Sequence, residues 1–321
     1  MQVKKCMDKI RVGVVGAGHL GNYHLQKYKN LPCAEIAGVA DVVEERAENA
    51  GRLYGCAAFC DYRSLIGRVD AVSIAVPTAS HYHVAKDFLE SGVDVLLEKP
   101  TAATVEEARE LNALARRRDL ILQIGFVERF NPAILALENV LDKPLFIEAH
   151  RLHPFSPRGT DVDVILDLMI HDLDIILKFV KSPLDDIAAV GVSVLSARVD
   201  IANARLTFRS GCVANVTASR VTVKTMQKIR FFGPDGYHAV DYAKRELISL
   251  SKKTGAGAQA EIVQLPVDLQ ICDPLEEEIR SFLEAVANRT APLVSGEDAL
   301  LSLEAAHKII EKIKMKPEML L

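Results

Sequence analysis

This sequence has no excess of positive charge. Its 39 Lys and Arg are outnumbered by 43 Asp and Glu, for a formal net charge of −4, so it carries no overall basic field of the kind that binds nucleic acid. The longest arginine run, Arg116-Arg117-Arg118, falls at the end of a predicted helix, where it complements the helix dipole and stays solvated. No uninterrupted apolar stretch reaches membrane-spanning length. Met1 to Lys9 carries charges and lacks the apolar centre of a secretory signal, so the expectation is a cytoplasmic protein with no membrane partner. Cys6, Cys33, Cys56, Cys60, Cys212 and Cys272 are scattered, and none forms a C-x-x-C pair. They read as reduced packing residues. There is no internal repeat and no low-complexity tract.

What is present points to two domains. A chain of 321 residues exceeds the usual single-domain size. Over the first 125 residues, strand-like runs alternate with helical segments, which predicts a parallel, doubly wound sheet. Beyond Phe126, runs such as Leu145–Leu152, Ile187–Val199, Ile201–Arg209 and Cys212–Val221 follow one another with few helices between them. They predict an antiparallel sheet. The expected division is therefore 1–125 and 126–321. Within the second, a helix is expected over about Val162–Val180.

The first turn carries the strongest signal. Ile10–Val15 leads into Gly16-Ala17-Gly18-His19-Leu20-Gly21, and a second apolar run ends in Asp41. This is G-x-G-x-x-G after a strand, with an acidic residue about 20 positions on. Gly16 permits the tight turn, Gly18 lets the backbone approach a pyrophosphate, and Gly21 lets the helix pack close to the strand. His19 and Leu20 open that helix, whose free N–H groups face the phosphates. Asp41 can accept hydrogen bonds from the adenosine ribose and would repel a 2′-phosphate, which favours NAD over NADP. Arg46 reads as a surface helix residue among acidic neighbours.

Ligands on such sheets bind beyond the carboxyl ends of the strands. Three later strand ends carry Pro77-Thr78-Ala79-Ser80-His81, Glu98-Lys99-Pro100 and Gly125 to Pro132, which includes Arg129 and Phe130. A later Asp167-x-x-x-His171 places two functional side chains on one helix face. A metal site built from Asp167, His171, Asp172 and Asp174 is the competing reading of that segment, but no further His cluster supports it. The expectation is no metal.

In this order, the Gly-rich turn, Glu98-Lys99-Pro100, the Gly125–Pro132 segment and Asp167/His171 resemble the Gfo/Idh/MocA family across essentially the whole chain. The resemblance makes 1–125 a Rossmann NAD-binding domain and 126–321 a substrate-binding and oligomerisation domain with a large open antiparallel sheet. It implies NAD(P)-dependent oxidation or reduction of a sugar or polyol hydroxyl, and a homodimer or homotetramer. Carried onto this sequence, it makes Lys99 the lysine beside the nicotinamide, His171 the proton carrier and Asp167 its partner. Imidazole suits proton transfer near neutrality. Pro77, Thr78, His81, Glu98 and Lys99 join the cofactor set. Arg129, Phe130, His153, Arg158, Thr160, Asp167, His171 and Lys99 form the expected substrate set.

The polar, Pro-stiffened loop Ala149–Asp163 precedes the Asp167/His171 helix and carries His153, Ser156, Thr160 and Arg158, whose planar fork suits phosphate. This stretch is similar to the family branch that includes UDP-N-acetylglucosamine 3-dehydrogenases. That implies oxidation at C3 of a UDP-N-acetylhexosamine for surface glycan or lipid A synthesis. A dehydrogenase of a free sugar, inositol or sugar acid is the alternative. A non-catalytic NAD(H)-binding regulator is the third, and it has no need of Lys99, Asp167 and His171 together.

Overall fold

A computed structural model describes residues 9–156, 162–234, 236–253 and 261–314. The first strands and helices alternate: β1 (Ile10–Val15), α1 (His19–Asn30), β2 (Ala34–Ala40), α2 (Glu44–Tyr54), β3 (Ala57–Phe59), β4 (Ala71–Ile74), α3 (Thr78–Glu90), β5 (Asp94–Glu98), α4 (Val105–Arg118) and β6 (Leu122–Gly125). They form one six-stranded parallel sheet in the order β3-β2-β1-β4-β5-β6. Every residue of β4 and β5 is buried, as expected when helices cover both faces of a parallel sheet. The order reverses between β1 and β4, the switch point at which such sheets open a crevice for ligands. α4 begins with a capping box, the Thr-x-x-Glu pattern of residues 104–107, Thr104 and Glu107 exchanging hydrogen bonds with each other's backbone N–H.

The chain continues through α5 (Pro132–Leu137), β7 (Phe146–Leu152), a wide π turn (Ile165–Met169) and α6 (Ile170–Val180). Seven strands follow: β8 (Leu184–Val192), β9 (Ile201–Phe208), β10 (Val213–Ser219), β11 (Met226–Phe232), β12 (Gly236–Asp241), β13 (Glu246–Lys253) and β14 (Glu261–Gln264). With β7 they form an eight-stranded sheet, β14-β13-β12-β11-β7-β10-β9-β8. All its pairs are antiparallel except β7 with β10. β7 enters before the helices while β10 arrives after the β8–β9 hairpin, so the two run side by side in the same direction. β9 shows the period-two pattern of a sheet with one covered face, Ala202, Ala204, Leu206 and Phe208 being buried.

The strand expected to run on to Val199 stops at Val192. The next residues turn around Asp200. Its Oδ2 accepts the backbone N–H of Val194, Leu195 and Ser196 at 2.8, 2.6 and 2.8 Å, and its Oδ1 accepts the Ser196 hydroxyl at 2.6 Å. Against the upward push of burial, these bonds pull its pKa down to about 2.

The expected division after Gly125 needs correction at the far end of the chain. The chain forms two compact units, 1–127 with 275–300, and 128–274 with 301–321. α7 (Pro274–Asn288) belongs to the first unit from Leu275 on. Its Ile279, Phe282, Leu283 and Val286 share a core with Val12, Leu25, Tyr28 and Leu96. Burying each such large side chain contributes about 1.5–3 kcal/mol. Ile124 N–H then donates to Val294 O at 3.1 Å, and Ser295 bridges Gln123, so this return segment extends the edge of β6. The division falls within α8 (Gly296–Lys314), between Leu300 and Leu301. Sequence order alone does not reveal such a return.

Candidate active site

In the first unit the expected nucleotide residues gather at the carboxyl ends of β1, β2, β4 and β5. Gly16 has φ +94°, and a Cβ there would lie 2.3 Å from the Ala75 carbonyl oxygen. At Gly21 a Cβ would meet Gly16 O at 1.7 Å. Both sites demand glycine, one for the turn and one for helix–strand packing. Gly18 is different, because a Cβ there would meet nothing within 4 Å. Its backbone borders open space, beside the first N–H groups of α1 and the exposed His19 and Leu20. A side chain would fill that space, so the glycine suits the close approach of a pyrophosphate.

Asp41 is buried at the end of β2. Its Oδ2 accepts Ala17 N–H and its Oδ1 accepts Val43 N–H, both at 2.8 Å. It therefore braces the glycine turn. Each carboxylate oxygen keeps a second lone pair for a hydroxyl donor. Pro77 precedes Thr78 at the start of α3, and both are at least partly accessible.

His81 is buried, with Nδ1 2.7 Å from Pro100 O and Nε2 2.9 Å from Val76 O. It ties the end of β4 to the Lys99-Pro100 turn, and burial lowers its pKa. That is a bracing role behind the cofactor edge. Lys99 is half-buried and follows β5 through a cis peptide to Pro100. Glu98 departs from expectation as a cofactor contact, because its carboxylate turns inward and accepts a hydrogen bond from His24 Nε2 at 3.0 Å.

In the second unit, Asp167 lies in the π turn and His171 in the first turn of α6. Both are half-buried, while Ile165, Leu166, Met169, Ile170 and Asp172 between and beside them are buried. The wide turn, with its i→i+5 hydrogen bonds, is a local form frequent at functional sites. It replaces the uninterrupted α-helix expected here. His153, just after β7, lies close enough to Asp167 to feel its charge. Burial and Arg151 lower the His153 pKa, and Asp167 pulls it back up. The Gln227 amide on β11 packs on His153 Nε2 at 2.6 Å.

Arg129 and Phe130, expected among the substrate contacts, are turned into the interior instead. Both are buried in the second unit, and the Arg129 guanidinium grips Asp174 through Nε and Nη2, the latter at 2.8 Å. Arg158 and Thr160 lie outside the described residues. Asp172 and Asp174, the extra ligands of the metal reading, are each held by a buried arginine instead. Arg151 donates to Asp172 from Nε at 2.9 Å and from Nη2 at 3.1 Å, and to Glu128 from Nη1 at 3.0 Å. The Tyr242 ring lies 4.7 Å beneath this guanidinium. Among the described residues, no group of three or more His, Cys, Asp or Glu could hold a metal ion.

Gln227, Arg151, Glu128 and Tyr242 were not among the expected site residues. Arg151 left one trace in the sequence. It occupies the inward register of β7 shared by Ile147 and Ala149, where an arginine needs a buried acid.

These features define a two-unit nucleotide-dependent oxidoreductase. Residues 10–126 match the Gfo/Idh/MocA oxidoreductase family's NAD-binding Rossmann fold, and residues 138–238 match the Gfo/Idh/MocA C-terminal domain. The chain belongs to this family and binds NAD.

A UDP-N-acetylglucosamine 3-dehydrogenase of Acidithiobacillus ferrooxidans is 39% identical over 307 residues, covering 94% of this chain and 97% of that protein. A solved structure of that dehydrogenase superposes with a TM-score of 0.88 at 38% identity, over 96% of this chain and 99% of the other. Levoglucosan dehydrogenase, in complex with NADH and L-sorbose, shares the fold at 20% identity with a TM-score of 0.86, over 96% and 98%. The scyllo-inositol 2-dehydrogenase (NAD(+)) of Bacillus subtilis is 24% identical over 316 residues, 92% of each chain. Among the described residues no helix is long and apolar enough to cross a membrane.

Proposed function

We propose that this chain oxidises the C3 hydroxyl of a UDP-N-acetylhexosamine to a ketone. The observation that carries this reading is the 39% identity to a UDP-N-acetylglucosamine 3-dehydrogenase, which spans both units rather than the nucleotide domain alone. Bound NAD supplies the hydride acceptor. Lys99 polarises the reacting hydroxyl oxygen with its ammonium, and His171 takes the hydroxyl proton. Asp167 orients the hydroxyl and holds His171 in place. His153, with its pKa lowered, is a neutral hydrogen-bonding group for the sugar. Arg158 and Thr160 are assigned to the diphosphate by their chemistry alone.

The larger sheet suits a second copy of the chain. Val190 and Val192 stand 41% and 42% exposed on the edge strand β8, and Val194 and Leu195 just after it 55% and 59%, and clustered apolar groups left in water favour a partner. The proposed assembly is a homodimer or homotetramer.

The test mixes the protein with NAD⁺ and UDP-N-acetylglucosamine and follows NADH, with a ketone trap or a partner aminotransferase to draw off product. NADH formed from the UDP-sugar but not from free N-acetylglucosamine supports the proposal. Turnover of free sugars or inositol, indifferent to Arg158→Ala, would replace it with the polyol reading.

A further inference from the structure

β10 ends in Ser219, and the four residues Ser219-Arg220-Val221-Thr222 bond to two separate parts of the second unit that carry proposed substrate residues. On one side they hold His153. Its backbone N–H donates to Ser219 O at 2.8 Å, and its carbonyl accepts Thr222 N–H at 3.2 Å and the Thr222 hydroxyl at 3.0 Å.

On the other side, Arg220 reaches the chain that enters the π turn. Its side chain is buried, and Nη2 donates to Val162 O at 2.6 Å and to Val199 O at 3.2 Å. Val199 in turn grips the two residues after Val162. Its N–H donates to Asp163 Oδ1 and its carbonyl accepts Val164 N–H, both at 2.9 Å. The Asp163 carbonyl then accepts Leu166 N–H at 3.0 Å and Asp167 N–H at 3.1 Å. A continuous path of hydrogen bonds and two intervening residues therefore joins the guanidinium to the backbone of Asp167.

A buried guanidinium needs an anion and acceptors for its donors. Asp200 is the anion. Its buried Oδ1 lies 3.4 Å from Arg220 Nε, and its carbonyl accepts Arg220 N–H at 2.9 Å. The same carboxylate fixes the 194–196 turn, so the cation sits on a rigid base. Its planar fork spans carbonyls from two separate segments, a geometry that an ammonium on a flexible stem does not hold.

We infer that Arg220 is a positioning residue for Asp167, which it sets by fixing the entry to the π turn, and that residues 219–222 keep Asp167 in register with His153. Being buried, Arg220 acts through the backbone and not by contact with a ligand. The bonding path stands by itself, and its consequence for turnover rests on the dehydrogenase reading.

The experiment uses full-length wild type, Arg220→Lys, Asp163→Ala, Asp167→Asn and the Arg220→Lys/Asp167→Asn double variant, each with NAD bound. Arg220→Lys keeps a cation beside Asp200 but loses the fork. Asp163→Ala takes the acceptor from Val199 N–H without touching the buried ion pair. Hydrogen–deuterium exchange should quicken in peptides spanning residues 162–169 in both single variants. Each should lower kcat by about ten- to a hundredfold, because small displacements of reacting groups are costly, while the Kd for NAD stays at the wild-type value. In the Asp167→Asn background, Arg220→Lys should cost little more, since losses multiply only when two residues act independently.

Exchange over 162–169 equal to wild type overturns the bonding path. Wild-type kcat in Arg220→Lys, or a loss that multiplies in full with that of Asp167→Asn, overturns the positioning of Asp167. Should Arg220→Lys fail to fold, Asp163→Ala and its double variant with Asp167→Asn decide by the same readouts. Should wild type oxidise neither sugar nucleotides nor free sugars, the dehydrogenase reading fails, while the exchange results still judge the path.

Discussion

Arg151 holds Asp172 by two hydrogen bonds, 2.9 Å from Nε and 3.1 Å from Nη2, immediately beside His171 in sequence. Both side chains are buried, at 4% and 0% exposure, so the pair carries the structure around the proposed proton carrier. Glu128 and the Tyr242 ring complete the enclosure.

Breaking that pair should be costly. Arg151→Ala leaves Asp172 and Glu128 without their cation, and removing one partner of a buried ion pair typically costs about 3–5 kcal/mol. Arg151→Lys should recover little, because an ammonium cannot make the two-pronged contact. Urea unfolding of the two variants measures both effects. Midpoints equal to wild type would show that the network contributes nothing.

Lys99→Ala should remove turnover by about 10²- to 10⁴-fold, the usual range for a positioned group acting on a proton in transit. NAD binding should persist, since the glycine turn and Asp41 are untouched. Isothermal titration with NAD beside steady-state kinetics separates the two. Loss of NAD binding with turnover intact at saturating cofactor would contradict the role given to Lys99.

Asp41→Ala should weaken NAD and relax the exclusion of NADP, because the repelling carboxylate is gone. It also takes an acceptor from Ala17 N–H and Val43 N–H, so some loss of thermal stability should accompany it. The ratio of kcat/KM for the two cofactors is the measurement. An unchanged ratio would mean that another residue sets the preference.

Asp167→Asn should lower the His153 pKa further. Burial and Arg151 already depress it, and Asp167 is the group that opposes them. A folded-state value below the unfolded one disfavours the protonated form, so its stability contribution is present above the ordinary histidine pKa and lost as pH falls. NMR titration of the His153 ring in both proteins reads the sign directly. A pKa that rises, or stays fixed, would show that Asp167 does not face His153 in solution.

Much of the first unit was legible in the sequence because its signals are local. The glycines of the turn, the strand that precedes them and the spacing to Asp41 are all set by backbone sterics over short distances. The same holds for the Thr104–Glu107 cap. In the second unit, the succession of strand-like runs announced the larger sheet, whereas the four-residue spacing of Asp167 and His171 reads as one helix face where the chain instead makes a π turn into α6. Arg129 and Glu98 misled, because a charged residue at a strand or turn end looks the same in sequence whether it meets ligand or a buried partner.

By itself, then, the sequence determined the alternation of elements, the nucleotide turn and the list of reactive side chains, since each follows from residue type and short-range geometry. Tertiary structure alone decided which charges were claimed inside. It sent Arg151 to Asp172, Arg129 to Asp174, and α7 back into the core of the first unit beside Val12 and Leu96. Those pairings join residues far apart in the chain, and their energy comes from exclusion of water, which no short stretch of sequence can achieve alone.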